Sequence, residues 1–271
     1  MRWIKRAFPG HPVAPDVTAD DIVKDLKDHG ITRFFNLVYP LKDEETDQLN
    51  EWNLEFCART EGAIPFASMH ADTADKVKKA EWALEAGFAG FKFHPFVQGF
   101  DPWDKRMEPL YSFLEEAGAP VLMHTGFEDF YNKDMPASEL HSLMKRHPDL
   151  CAVFVHMAFP ELDLSRKMLD EFEGLYLDAT NVLSVLRPAF LPMLKAYPDG
   201  NEIPDKINML IEDYRGRIMF GSDHPAGIGG LDDIYGDLDL LGVSGDALNS
   251  LIETPHVFLE KHVKDSAWKT R

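Results

Sequence analysis

The chain alternates short apolar runs with longer amphipathic stretches. Apolar runs over residues 33–39, 64–69, 90–93, 120–123, 151–155, 175–178 and 217–220 predict strands. Amphipathic stretches over residues 19–29, 73–86, 107–117, 136–147 and 162–172 predict the helices between them. Thr18 can cap the first helix, with Asp20 and Asp21 in its first turn, and Gly30, Gly87 and Gly118 sit where three helices should stop. The strands are short and apolar throughout, as strands covered on both faces are. A strand, then a helix, then a strand again predicts parallel βα units. No composition break marks a linker, so residues 1–271 are expected to form one domain, with residues 1–17 an atypical N-terminal segment. An open doubly wound sheet is the alternative, but no Gly-rich phosphate loop supports it.

The chemical signal lies at the C-terminal ends of the runs. His70, His94, His124 and His156 come directly after four of them, and Gly221-Ser-Asp-His224 comes after a fifth. In a closed barrel of parallel strands these positions converge on one face, where catalytic groups collect. A lone histidine after a strand is usually structural, but this series draws on only 11 histidines in the chain. Imidazoles and a carboxylate around one mouth can hold a divalent ion, zinc above all, and leave a position for water. The same set without a metal can activate water by general base catalysis.

Lys92 alternates with Phe91 and Phe93, so if the phenylalanines pack on helices, Lys92 points into the barrel. His94 shares that parity. Asn181, beyond the run at 175–178, and His224 are candidate substrate contacts, whereas His70 is as readily a solvated loop residue. His29, His141, His147 and His262 lie in helical or terminal contexts and are expected at the surface.

Bulk properties then narrow the classes. With 28 basic and 46 acidic residues the formal charge is -18, a balance that repels phosphate backbones and anionic lipid. No apolar run approaches the ~18 residues a bilayer span needs. Two cysteines in 271 residues make no disulfide framework, and a cytoplasmic location is expected. The partner these features suggest is a small-molecule substrate, with neither nucleic acid nor membrane. Homo-oligomers are a further expectation, because exposed barrel ends commonly associate.

Four segments carry a family likeness: Gly90-Phe-Lys-Phe-His-Pro95, Pro120-Val-Leu-Met-His-Thr-Gly126, Val155-His156 and Phe220-Gly-Ser-Asp-His-Pro225. They resemble the fourth-, fifth-, sixth- and eighth-strand signatures of the amidohydrolase superfamily. The nearest branch is that of carboxymuconate-semialdehyde decarboxylases and pyrone-dicarboxylate lactonases. The resemblance implies a TIM-like (β/α)8 barrel and a divalent metal, zinc first. It implies His124, Asp223 and His156 as metal ligands, with Asp223 and His156 also catalytic, and Lys92 and His94 lining the substrate site beside the candidates Asn181 and His224. It also exposes a departure. The family's first strand ends in His-X-His, and no His-X-His occurs in this chain. Counting back from residue 33, that strand falls before Met1, so strand 1 is expected to be missing or irregular and metal binding to be weak or lost.

Three functions compete. The first is a metal-dependent hydrolase or decarboxylase of a small carboxylated or cyclic substrate. The second is a metal-free, lactonase-like hydrolase with Asp223 as general base. The third is a degenerate barrel serving as a binding subunit.

Overall fold

The structure is a computed structural model that describes residue 14, residues 16–131, residue 133 and residues 135–263. Among the described residues, seven parallel strands alternate with eight longer helices: α1 (Ala19–Asp28), β1 (Phe34–Leu37), α2 (Thr46–Arg59), β2 (Ala63–Phe66), α3 (Lys76–Ala86), β3 (Phe91–Phe93), α4 (Glu108–Ala117), β4 (Val121–His124), α5 (Ala137–Arg146), β5 (Ala152–Val155), α6 (Leu162–Glu171), β6 (Leu175–Asp178), α7 (Ile203–Asp213), β7 (Ile218–Met219) and α8 (Gly245–His262). Pairing runs β1–β2 and then β3–β4–β5–β6–β7. Ala67 stitches the two groups together: its N–H donates to Gly90 O (2.9 Å) and its carbonyl accepts from Lys92 N (2.7 Å). Every strand run predicted from the chain holds a strand, most of them shorter than the run, with β2 starting one residue earlier and β4 ending one residue later. No element is predicted over residues 203–213 or 245–262, where α7 and α8 form.

Register explains the layering. Lys92, Leu122, Val153 and Tyr176 are Cα partners across β3–β6 and so share one face; one step on, His124, Val155 and Asp178 share it again. Leu122, Val153, Val155, Tyr176 and Met219 form an inner core with Ile64 and Phe66. The alternate residues Phe91, Phe93, Val121, Met123, Phe154 and Leu177 pack outward against the helices. Fully buried phenylalanines such as Phe91, Phe93 and Phe154 contribute on the order of 2 kcal/mol each to that outer layer.

The interval between β7 and β1 is where a first strand would lie. Among the described residues, the one strand paired with β1 is β2 and the one paired with β7 is β6, and β1 is half-buried along its whole length. Side chains reach across the interval: Asp25 of α1 pairs with His224 at 3.1 Å, and Arg33 contacts His256 of α8 at 3.1 Å. The expected irregularity of residues 1–17 falls almost wholly outside the described residues.

Candidate active site

Because all seven strands are parallel, β4 and β7 end on the same face, so His124 and Asp223 open onto one mouth. Local chemistry fixes each group. Gln98 accepts from His94 N (2.7 Å) and donates to the carbonyls of Pro40 and Met69 (3.1 Å each), tying together the ends of the first three strands. Thr125 donates to Val155 O (2.6 Å) and accepts from Ala158 N (3.1 Å), which sets the end of β4 against the turn after β5. Gly126 is required there, since a Cβ would stand 2.8 Å from Phe159 N. Gly221 does the same after β7, where a Cβ would meet Thr180 Oγ1 at 2.1 Å.

Three imidazoles meet. His94 and His124 stack with centroids 3.6 Å apart and planes 13° from parallel, and His156 meets His124 edge-on at 4.5 Å. His156 Nδ1 donates to Thr180 O at 2.8 Å, so in the neutral ring Nε2 carries the lone pair. Burial holds His94 down at about 2, with Lys92 and His156 adding to the effect. Burial likewise lowers His156 to about 3, against the Thr180 hydrogen bond, and pushes His124 well below its ordinary value. All three rings are therefore neutral at pH 7. Nδ1 of His94 and Nε2 of His124 are buried without a hydrogen-bond partner among the described residues. Leaving such atoms unpaired costs about 1–3 kcal/mol each.

Beside the rings stand a cation and two carboxylates. Lys92 is only 4% exposed, and burial lowers its ammonium to about 8 against the pull of Asp223 and Asp178. Asp178 Oδ1 accepts from Thr180 N at 2.6 Å, and burial raises its pKa. Asp223 accepts from Asn181 Nδ2 at 3.3 Å. Water reaches Asp223 at the mouth, yet the protein around it desolvates the carboxyl enough to raise it to about 6; Lys92 opposes the shift and Asp178 adds to it. Positive φ values collect at these same positions: Phe127 (54°), His156 (68°), Met157 (54°), Ala158 (49°), Asn181 (63°) and Asp223 (52°). Backbone held in this region costs on the order of 1 kcal/mol or more per residue and tends to mark functional sites.

Two tyrosines that the sequence pattern does not single out belong here. Tyr131 approaches His94 Nε2 to 3.3 Å and stacks on Phe96 (4.6 Å, 4°), while Tyr39 meets His94 edge-on at 4.9 Å. Burial raises Tyr39 to about 12 and raises Tyr131 as well, and both also feel Asp223. Tyr39 and Asp178 each close an apolar run, the signal that exposed the histidines; Tyr131 carries no such mark.

Other expected contacts are placed differently. His224 is turned toward Asp25 of α1 rather than to the rings. Asn181 also accepts from Ile228 N at 2.9 Å, so it braces Asp223 against the following loop. His70 has both nitrogens engaged, with Gln98 O (3.1 Å) and Asp72 N (3.2 Å), and is a structural residue. His147 is not at the surface. It is buried, with Nδ1 and Nε2 each 3.1 Å from a carboxylate, of Glu115 and Glu108. His29, His141 and His262 are part-buried as well.

Zinc sites take three or four protein donors aimed at one point. Among the described residues no group of three or more histidine, cysteine, aspartate or glutamate side chains meets that requirement. His94 and His124 lie face to face, and Asp223 shares the mouth with the Lys92 ammonium. The set expected from the resemblance, His124, His156 and Asp223, is thus not assembled around a common point, and these donors do not fit the ion.

A parallel barrel whose strand ends carry imidazoles, carboxylates and a buried lysine is the architecture of a barrel enzyme. The amidohydrolase family profile matches residues 4–242, and the chain belongs to that family. It is therefore an enzyme of amidohydrolase type, in a family whose members usually bind a divalent metal. No curated protein sequence matches the chain. Solved structures share the fold. An uncharacterized TIM-barrel protein from Bordetella bronchiseptica is 19% identical with a TM-score of 0.69, over 100% of this chain and 90% of that one. A probable 2-pyrone-4,6-dicarboxylic acid hydrolase from Acinetobacter baumannii, with citric acid bound, is 14% identical with a TM-score of 0.62, covering 93% and 92%. The 5-carboxyvanillate decarboxylase from Sphingomonas paucimobilis is 11% identical with a TM-score of 0.61, covering 90% and 83%. No helix among the described residues is long and apolar enough to cross a membrane.

Proposed function

We propose that the chain hydrolyses a small carboxylated or cyclic ester, such as a lactone, with Asp223 as general base. The observation that carries this reading is the pairing of a raised carboxyl, Asp223, with a buried ammonium, Lys92, at one strand-end mouth. A base whose pKa lies just below neutrality is ionised at pH 7 yet still basic enough to take a proton from water. The water attacks the ester carbonyl, and the oxyanion that forms lies toward the Lys92 ammonium and the Tyr131 hydroxyl. The C–O bond breaks, and the leaving oxygen recovers the proton from Asp223. Asn181 holds the carboxylate in place, while the neutral His94 and His124 present unpaired nitrogens to substrate polar groups. The similar fold of a probable pyrone-dicarboxylic acid hydrolase favours an ester of this kind.

The test is a screen of purified protein against lactones and carboxylated aromatics, with and without chelator, alongside Asp223→Asn. The proposal expects ester hydrolysis that survives chelation and falls about a hundred- to ten-thousand-fold in the variant. Activity that appears only with added zinc would support the metal-dependent alternative. Carbon dioxide as product would make the enzyme a decarboxylase, and an absence of turnover with every substrate class would favour a binding barrel.

A further inference from the structure

We infer that the Lys92 ammonium is the resident cation of this site, taking the electrostatic place that a divalent ion holds in related barrels. The inference deepens the hydrolytic reading and rests on it only for the substrate.

Geometry carries it first. Strand register seats Lys92 in the inner layer with Leu122, Val153 and Tyr176, one layer below His124 and Asp178. A lysine in such a layer is expensive unless its charge is used. Its side chain has no hydrogen bond or close ion pair among the described residues, so no single carboxylate neutralises it. The charged and titratable groups that feel it come from its own strand and four neighbours: His94 after β3, His124 on β4, His156 after β5, Asp178 on β6 and Asp223 after β7.

Chemistry carries it second. Asp178 and Asp223 bring two carboxylates to this mouth, and Lys92 is the buried cation beside them. One central ammonium favours both Asp178 and Asp223 as anions and opposes protonation of each imidazole, as a bound metal ion would. It also repels a second cation. The fixed positive charge among the donors adds a second reason against zinc to a donor set that does not converge.

The test titrates zinc into the full-length protein and into Lys92→Met at pH 7, by calorimetry, and follows the imidazole signals by NMR. The wild type should bind zinc weakly. Lys92→Met should bind it at least about tenfold more tightly, and the His94 and His124 signals should titrate at higher pH. If Lys92→Met does not fold, Lys92→Gln replaces it. A wild-type series from pH 6.5 to 9 reads the same effect without a variant, because zinc affinity should climb as Lys92 loses its proton near about 8. Tight stoichiometric zinc in the wild type at pH 7 overturns the inference. So does a variant whose zinc affinity and imidazole titrations match the wild type. None of these readouts uses turnover: a fully active Asp223→Asn protein would sink the base and leave Lys92 standing, and the reverse pattern would sink Lys92 alone.

Discussion

Two buried histidine environments in this barrel are built on opposite rules. His147, at the end of α5, has both ring nitrogens answered by carboxylates, Glu115 and Glu108, and Asp149 N reinforces the clamp by donating to Glu115 at 2.8 Å. His94 and His124, at the strand-end mouth, are just as buried, yet each keeps a nitrogen with no partner among the described residues. The first arrangement is what a stable fold does with a polar group it must bury. The second leaves a cost in place, beside strained backbone at His156, Asn181 and Asp223. The contrast separates the residues that hold the barrel together from those available to a substrate.

Removing one member of each pair should break the symmetry in opposite directions. The largest effect is expected from His124→Leu, which should lower kcat/KM about a hundredfold while leaving stability unchanged or slightly raised, because an unsatisfied nitrogen is removed. Chemical denaturation and kinetics on one preparation read both quantities. A loss of stability without a loss of rate would place His124 among the packing residues instead. His147→Leu should do the reverse, costing about 1–3 kcal/mol through the loss of both ring contacts to Glu108 and Glu115 while kcat/KM stays within about twofold of the wild type. A shift in urea midpoint measures this, and an unchanged midpoint would show that the clamp contributes nothing.

The same contrast explains what was legible in the sequence. Strand ends are marked by a sharp change from apolar to polar residues, so His94, His124, His156 and Asp223 stood out, and the parity of Phe91 and Phe93 pointed Lys92 inward. Barrel geometry did the rest. Tyr131 escaped because it sits on a short turn beyond the strand, where no periodicity marks which residue folds back over the rings. His147 was misplaced because a helix-terminal histidine reads as solvated unless its partners are known, and Glu108 and Glu115 lie 39 and 32 residues away. Helix α8 was hidden by Pro255, which sits inside it. In α7 the proline lies in the first turn, where its missing N–H costs nothing.

The central claim is that Asp223 works as a base next to the Lys92 cation, and the pH dependence of kcat/KM in the presence of chelator tests it most directly. Asp223 must be ionised, so the rate should rise with pH through about 6. Lys92 must be charged, so it should fall again through about 8. The profile should therefore be bell-shaped, with the acidic limb lost in Asp223→Asn and the alkaline limb lost in Lys92→Met. A profile that is flat between pH 5 and 9, or a rate that chelator abolishes and zinc restores, would contradict the account.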